Sequence, residues 1–270
     1  MQTVSTKDKS QTVLWPNAGT LALFWLGAIV VALLIFRSSA QIDIFFSNLF
    51  FTPIDCSIVA EGVRCGDFVW QHDTTLILIR WIGHEIPLYL MGAVCLHMTW
   101  LMMFNPNKTL ADIYPPLVAI ITGLVGPLFV VNLMLKEYWG RPRPVQTLFF
   151  GGDNPYIVPG DISNFCQSNC SFVSGEAAAA FWMLALMFYF AGRNRNRFLI
   201  VATVLAAAIS FLRVIFGRHY ISDVVTAGLI SIFLIAFAVW LLQTPIVRRC
   251  LAAMLKFSNT YAFGRHKLRN

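Results

Sequence analysis

Four ionisable side chains fall within eleven positions of the stretch FLRVIFGRHYISD, residues 211–223: Arg213, Arg218, His219 and Asp223. They occupy the dip between two apolar runs, Phe198–Phe216 and Val224–Leu242. Charge at the edge of an apolar run costs free energy, so it marks a site. His219 and Asp223 are four residues apart and share a face if a helix starts near Tyr220. The carboxylate can then hold one imidazole nitrogen and leave the other as base, ligand or nucleophile. Gly217 permits the sharp corner that returns Arg213 toward the imidazole. The plain alternative is an interfacial polar cap on a tight helix hairpin.

Two further clusters carry complementary chemistry. KEYWGRPRP, residues 136–144, gathers Lys136, Arg141 and Arg143. A proline after each arginine holds it extended and stops the helix. Rigid guanidinium forks beside a lysine suit a phosphate group, which needs several donors at once. In CSFVSGEAAAAF, Ser174 is a good N-cap, Gly175 leaves room for close approach, and the free amides face an anion. Glu176 also suits the first turn simply because an acid favours a helix N-terminus.

The elements that must position these groups are membrane spans. The chain is 57% hydrophobic and only 12% charged, with 23 Phe and 8 Trp. That is about half the charge fraction of an aqueous domain. Six apolar segments are expected to cross a bilayer: roughly 17–36, 86–104, 115–135, 177–191, 198–216 and 224–242. The fourth is short unless its polar start at Ser174 is included. The fold class is therefore all-α integral membrane, with a short cytoplasmic arm over 1–16, a six-span domain over 17–242 and a basic cytoplasmic tail over 243–270. Residues 17–36 lack a small-residue cleavage pattern and read as a retained span.

The net charge of +7 is a topology signal. With the N-terminus cytoplasmic, 12 of the 20 basic residues lie inside and eight outside, five of those eight within the clusters above. The remaining 12-to-3 asymmetry follows the positive-inside rule and gives no support for nucleic-acid binding. All three clusters then stand at the outer ends of spans, where a bundle can gather them into one pocket. The cysteines agree. Cys56 and Cys65 share the first outer loop, Cys166 and Cys170 the second, and two disulfides are expected there. Gly83 and Pro87 are expected to break the segment TTLILIRWIGHEIPLYL. His84 and Glu85 there read first as interfacial polar residues, with the lining of a headgroup cavity as the alternative. His97 is expected to bond a neighbouring helix, and IDIFFSNLFF to lie at the interface.

In order and spacing, these motifs resemble the type 2 phosphatidic acid phosphatase (PAP2) superfamily. Lys136 to Arg143–Pro144 matches its Lys-x6-Arg-Pro motif. Arg213, His219 and Asp223 match Ser-Arg-x5-His-x3-Asp, with Leu212 in place of the Ser. The Pro-Ser-Gly-His motif appears as Val173–Ser174–Gly175–Glu176, with Glu176 in place of the His that serves the family as leaving-group acid. The string SFVSGEA is similar to the subgroup containing bacterial lipid A 4′-phosphatases.

The resemblance implies hydrolysis of a phosphorylated membrane lipid, without metal or other cofactor, through a phosphohistidine. His219 would attack phosphorus while Asp223 fixes its tautomer. Lys136, Arg143, Arg213, Ser174 and the Gly175 amide would neutralise the phosphoryl oxygens. Arg141 and Arg218, outside the matched positions, are expected to read the headgroup. Glu176 is expected to be the leaving-group acid if burial keeps it protonated, or a positioning carboxylate if the cations ionise it. The expected location is the periplasmic face of a bacterial inner membrane, with both termini cytoplasmic and no obligate protein partner evident. Lipid A is the expected substrate; phosphatidylglycerophosphate, undecaprenyl pyrophosphate or transfer to a second lipid are the alternatives. A transporter would need no nucleophile, and the intact His219–Asp223 pair opposes that class.

Overall fold

The apolar runs fold into a helical bundle in the computed structural model, which describes residues 17–55 and 64–267, with side chains to Thr260. The expected arm over 1–16 lies outside the described residues. Five helices are long and apolar enough to cross a membrane: α1 (Ala18–Ser38), α3 (Thr74–Phe104), α4 (Leu110–Tyr138), α6 (Gly192–Ile215) and α7 (Ile221–Gln243). Three others accompany them: α2 (Ala40–Asn48), the shorter apolar α5 (Gly175–Tyr189) and α8 (Pro245–Lys267). A two-residue antiparallel ladder pairs β1 (Thr52–Pro53) with β2 (Gly66–Asp67), Thr52 opposite Asp67.

The fourth expected span is thus shorter than the others. Its first eight residues are α-helical and its last seven form 3₁₀ turns. At roughly 1.5 and 2.0 Å per residue, α5 reaches about 26 Å, against about 30 Å of hydrocarbon. Phe190, extended at φ −117° and ψ 157°, ends it.

The expected break in the second span does not occur. Asp73 caps α3, its carboxylate accepting the Leu76 amide at 2.8 Å, and the helix runs unbroken past Gly83 and Pro87. The glycine serves packing instead, since a Cβ on Gly83 would come within 2.8 Å of Ile209 on α6. α4 opens with a capping box between Thr109 and Asp112. It widens into π-type turns over Leu124–Leu135, just before Lys136. Such turns often accompany functional sites.

α7 is the central helix. α1 packs along it, α5 lies against it, and α2, α4 and α6 touch it. Its Ala227, Gly228 and Ser231 are buried, and Phe181 of α5 lies 3.0 Å from where a Gly228 Cβ would stand. Trp182 ties α5 to α4 by donating to the Ala119 carbonyl at 2.8 Å. The segments between α1 and α3, α4 and α5, and α6 and α7 meet at one end of the bundle. Phe51, Phe68, Phe150 and Tyr220 form a small core there, and the Val145 amide donates to the Gly217 carbonyl at 3.1 Å.

Candidate active site

The three clusters converge. Lys136, Arg143, Gly175, Glu176, Arg213, Arg218 and His219 all line one cavity of about 720 Å³. The backbone explains the meeting. α4 ends at Tyr138, α5 starts at Gly175, and Gly217 at φ +60° turns the chain between α6 and α7. A side chain on Gly217 would also meet the Phe68 ring at 2.5 Å, so glycine is needed there twice over.

His219 lies in that turn and is 2% exposed. Its Nδ1 donates to the Ser171 carbonyl at 2.7 Å, whereas Asp223 Oδ2 is 3.9 Å away. The expectation of a direct carboxylate–imidazole hydrogen bond is corrected: a backbone carbonyl fixes the tautomer. Nε2 is then the unprotonated nitrogen. Burial pushes the imidazole down to about 4, aided by Arg213 and Lys136 and opposed by Asp223. A neutral imidazole is the form a nucleophile requires.

Asp223 is fully buried and builds the wall behind His219. Its Oδ2 accepts from Ser171 Oγ at 2.5 Å and the Tyr220 amide at 2.9 Å. Its Oδ1 accepts from Arg141 at 2.5 Å. The other arm of Arg141 reaches Asp43 of α2 at 2.7 Å, and Asp43 also takes Ser222 Oγ at 2.6 Å and Tyr156 at 3.0 Å. Arg141 is 0% exposed, stacked 4.3 Å over the Tyr220 ring. The expectation that Arg141 reads a headgroup is therefore corrected: its five donors are all taken by protein acceptors and none is free for a ligand. Arg218 does line the cavity and donates to Gln71 at 3.2 Å.

Lys136 and Arg143 rest on a short disulfide loop. Cys166 and Cys170 are bonded, and between them Asn169 sits at φ +49°. The Asn169 carbonyl accepts from Arg143 at 2.7 Å, and its side-chain oxygen accepts from Lys136 at 3.3 Å. Cys65 is also disulfide-bonded, and its expected partner Cys56 lies outside the described residues. Gly175 faces Asn132 and Lys136 so closely that a Cβ would stand 2.6 Å from Asn132 Oδ1. Ser174 is corrected as a direct phosphate ligand. It is 0% exposed, its hydroxyl caps α5 at the Ala177 amide, and it is not among the described residues lining the cavity.

Glu176 lies in the cavity between two guanidinium groups. Arg80 of α3 binds it at 2.5 and 3.2 Å, and Arg213 Nε stands 3.4 Å from Oε1. A carboxylate engaged by two guanidiniums carries no proton to give. Arg213 Nε is buried and faces Glu176 as an ion pair without a well-aligned hydrogen bond among the described residues. Arg80 and His84 line the same cavity, so for His84 the cavity-lining alternative holds in place of the interfacial one. His97 meets Tyr189 of α5 at 3.2 Å, the interhelical bond its position predicts.

Sequence reasoning missed Asp43, Ser171 and Arg80 as parts of the site. Asp43 left a signal, a lone acid in IDIFFS whose neighbours are apolar. Arg80 left a similar one within LILIRWI. Ser171 acts largely through its carbonyl, which leaves none.

A cationic cradle, a buried neutral imidazole and a cavity opening into an apolar bundle define a membrane-embedded phosphatase. The chain belongs to the PAP2 superfamily, whose profile matches residues 116–246. It is 38% identical to the lipid A 4′-phosphatase of Rhizobium leguminosarum, over 83% of this chain and 95% of that protein. It is 39% identical to the lipid A 4′-phosphatase of Rhizobium etli, over 83% and 86% respectively. Identity to the Francisella tularensis subsp. novicida lipid A 4′-phosphatase is 32%, over 60% of this chain and 73% of that one. The fold is shared with a PAP2-type phosphatidylglycerolphosphate phosphatase from Bacillus subtilis, at a TM-score of 0.50 and 17% identity, over 81% of this chain and 94% of that structure.

Proposed function

We propose that this protein removes the 4′-phosphate of lipid A at the periplasmic face of a bacterial inner membrane, through a phosphohistidine on His219. The observation that carries this reading is the cavity itself. Its lining combines the cations Lys136, Arg143 and Arg213, which suit a phosphate, with Leu88, Met91, Pro127 and Trp182, which suit an apolar lipid body. The names of relatives at 38–39% identity support lipid A as the phosphorylated lipid.

His219 Nε2 attacks phosphorus while the cradle takes the three phosphoryl oxygens, and water then releases phosphate. α5 is read as a sixth, shallow crossing, because α4 before it and α6 after it otherwise meet the wrong ends of the bundle. The 12-to-3 charge asymmetry then puts both termini in the cytoplasm and His219 outside. Purified protein incubated with lipid A and analysed by mass spectrometry tests the reading. Loss of one phosphate from the 4′ position is expected, and it should disappear in His219→Ala. Loss from another position, or transfer to a second lipid without free phosphate, would sink it.

A further inference from the structure

A sugar or alkyl oxygen leaving phosphorus must take up a proton, and Glu176, pinned by Arg80 and Arg213, has none to give. We propose that His84 is the general acid. This rests on the phosphohistidine reading above.

The placement comes from α3. Ile77, Arg80, His84, Pro87, Leu88 and Met91 line the cavity, and their spacing is that of one helical face. From Arg80 onward the lining changes from polar, at Arg80 and His84, to apolar, at Pro87, Leu88 and Met91. The phosphate belongs with Lys136, Arg143, Arg213 and His219, and the lipid body belongs with Leu88 and Met91. The bridging oxygen joins the two, so it falls at the height of His84. His84 is also the other imidazole, besides His219, among the described residues that line the cavity. Its Nδ1 is engaged by Glu85 Oε1 at 3.3 Å, which leaves Nε2 for the cavity. Its side chain is 50% exposed rather than sealed in the protein interior. A histidine can hold and release a proton near neutral pH, which a guanidinium cannot. Lys136, hydrogen-bonded to Asn169 beside Arg143, stands on the phosphate side.

The steps balance. As the bond from His219 Nε2 to phosphorus forms, the bond from phosphorus to the bridging oxygen breaks. That oxygen takes the proton from His84 Nε2 and leaves as an alcohol. Water then attacks the phosphohistidine, gives one proton to His84 Nε2, and releases inorganic phosphate and neutral His219.

The test compares His84→Gln with the unaltered protein on lipid A and on an acyl-tailed aryl phosphomonoester, whose phenolate leaves unaided. kcat/KM reports only the steps through leaving-group departure, so it isolates the first proton transfer. It should fall by about 10²–10⁴ on lipid A and hold on the aryl ester. The variant should also accumulate phosphate on His219 with the aryl ester, because deacylation-like hydrolysis has lost its base. Equal losses on both substrates, or none on lipid A, would overturn the assignment of His84. Absence of phosphate from His219 in the quenched aryl reaction would overturn the nucleophile, and the assignment with it.

Discussion

His219 Nδ1 is held by the carbonyl of Ser171 at 2.7 Å, while the carboxylate four residues on, Asp223, secures Ser171 itself through its hydroxyl at 2.5 Å. The acid therefore orients the imidazole at one remove. In Asp223→Asn the imidazole should keep its Nδ1–H tautomer, because the carbonyl still accepts. What is lost is a buried charge facing Arg141, at about 3–5 kcal/mol of stability. Thermal unfolding in detergent measures the second effect and ¹⁵N-histidine NMR the first. A switch of His219 to the Nε2–H form would show that Asp223 sets the tautomer directly.

The pH behaviour of His219 follows from its burial. With the imidazole pushed down to about 4, it should stay neutral through pH 5, where a free histidine is mostly charged. The folded state thus refuses a proton that the unfolded chain accepts below about 6.5. Stability contributed by this group should fall as pH drops from about 6.5 to about 4, by on the order of 3 kcal/mol. The ¹⁵N titration of His219, assigned with His219→Asn, checks the sign. A midpoint near 6.5 would contradict the buried, neutral imidazole.

Asp43 offers a test remote from the cavity. It accepts from Arg141, Tyr156, Ser222 Oγ and the Ser222 amide, joining α2 to the start of α7. Asp43→Ala leaves the Arg141 guanidinium half unpaired in a dry interior and should cost about 3–5 kcal/mol. KM should change little, because Asp43 touches no lining residue named here. Unaltered thermal stability would remove α2 from the support of the site.

The motifs that line the cavity were legible in the sequence because their chemistry is written as residue types at fixed spacings. Lys136, Arg143, Arg213 and His219 met in one cavity as their positions at span ends implied. The supporting residues were less visible, since what they do depends on where a helix turns them. Arg141 and Arg143 look alike in GRPRP, yet one is buried against Asp43 and Asp223 and the other faces the cavity. α3 was misread for a related reason. Gly83 and Pro87 break an isolated helix, but packing against Ile209 and the bundle overrides that local preference.

The disulfide loop should govern phosphate affinity. Asn169 reaches both Lys136 and Arg143 from between Cys166 and Cys170, so the bridge holds the acceptor that spaces the two cations. Cys166→Ser with Cys170→Ser should raise the inhibition constant for vanadate or inorganic phosphate several-fold while the protein stays folded. Asn169→Ala should act in the same direction without touching the bridge. Unchanged inhibition in both would mean that the cations hold their places without this loop.

Glu176 supplies the last prediction, because it separates positioning from proton transfer. Its carboxylate spans Arg80 on α3 and Arg213 on α6, and so links two walls of the cavity. Glu176→Gln keeps the shape but releases both guanidiniums, and each can then turn toward the substrate's anionic oxygens. If the role is positioning, kcat/KM should fall by a similar factor on lipid A and on an aryl phosphate, because the phosphate is held identically in both. Arg80→Gln should reproduce much of that loss, and the double variant should fall little further, as expected for residues that act as one unit. The rates of the three variants on the two substrates form the measurement. A loss confined to lipid A in Glu176→Gln would return the acid role to this residue. Strict additivity with Arg80→Gln would show that the ion pair does not set the geometry of the cradle.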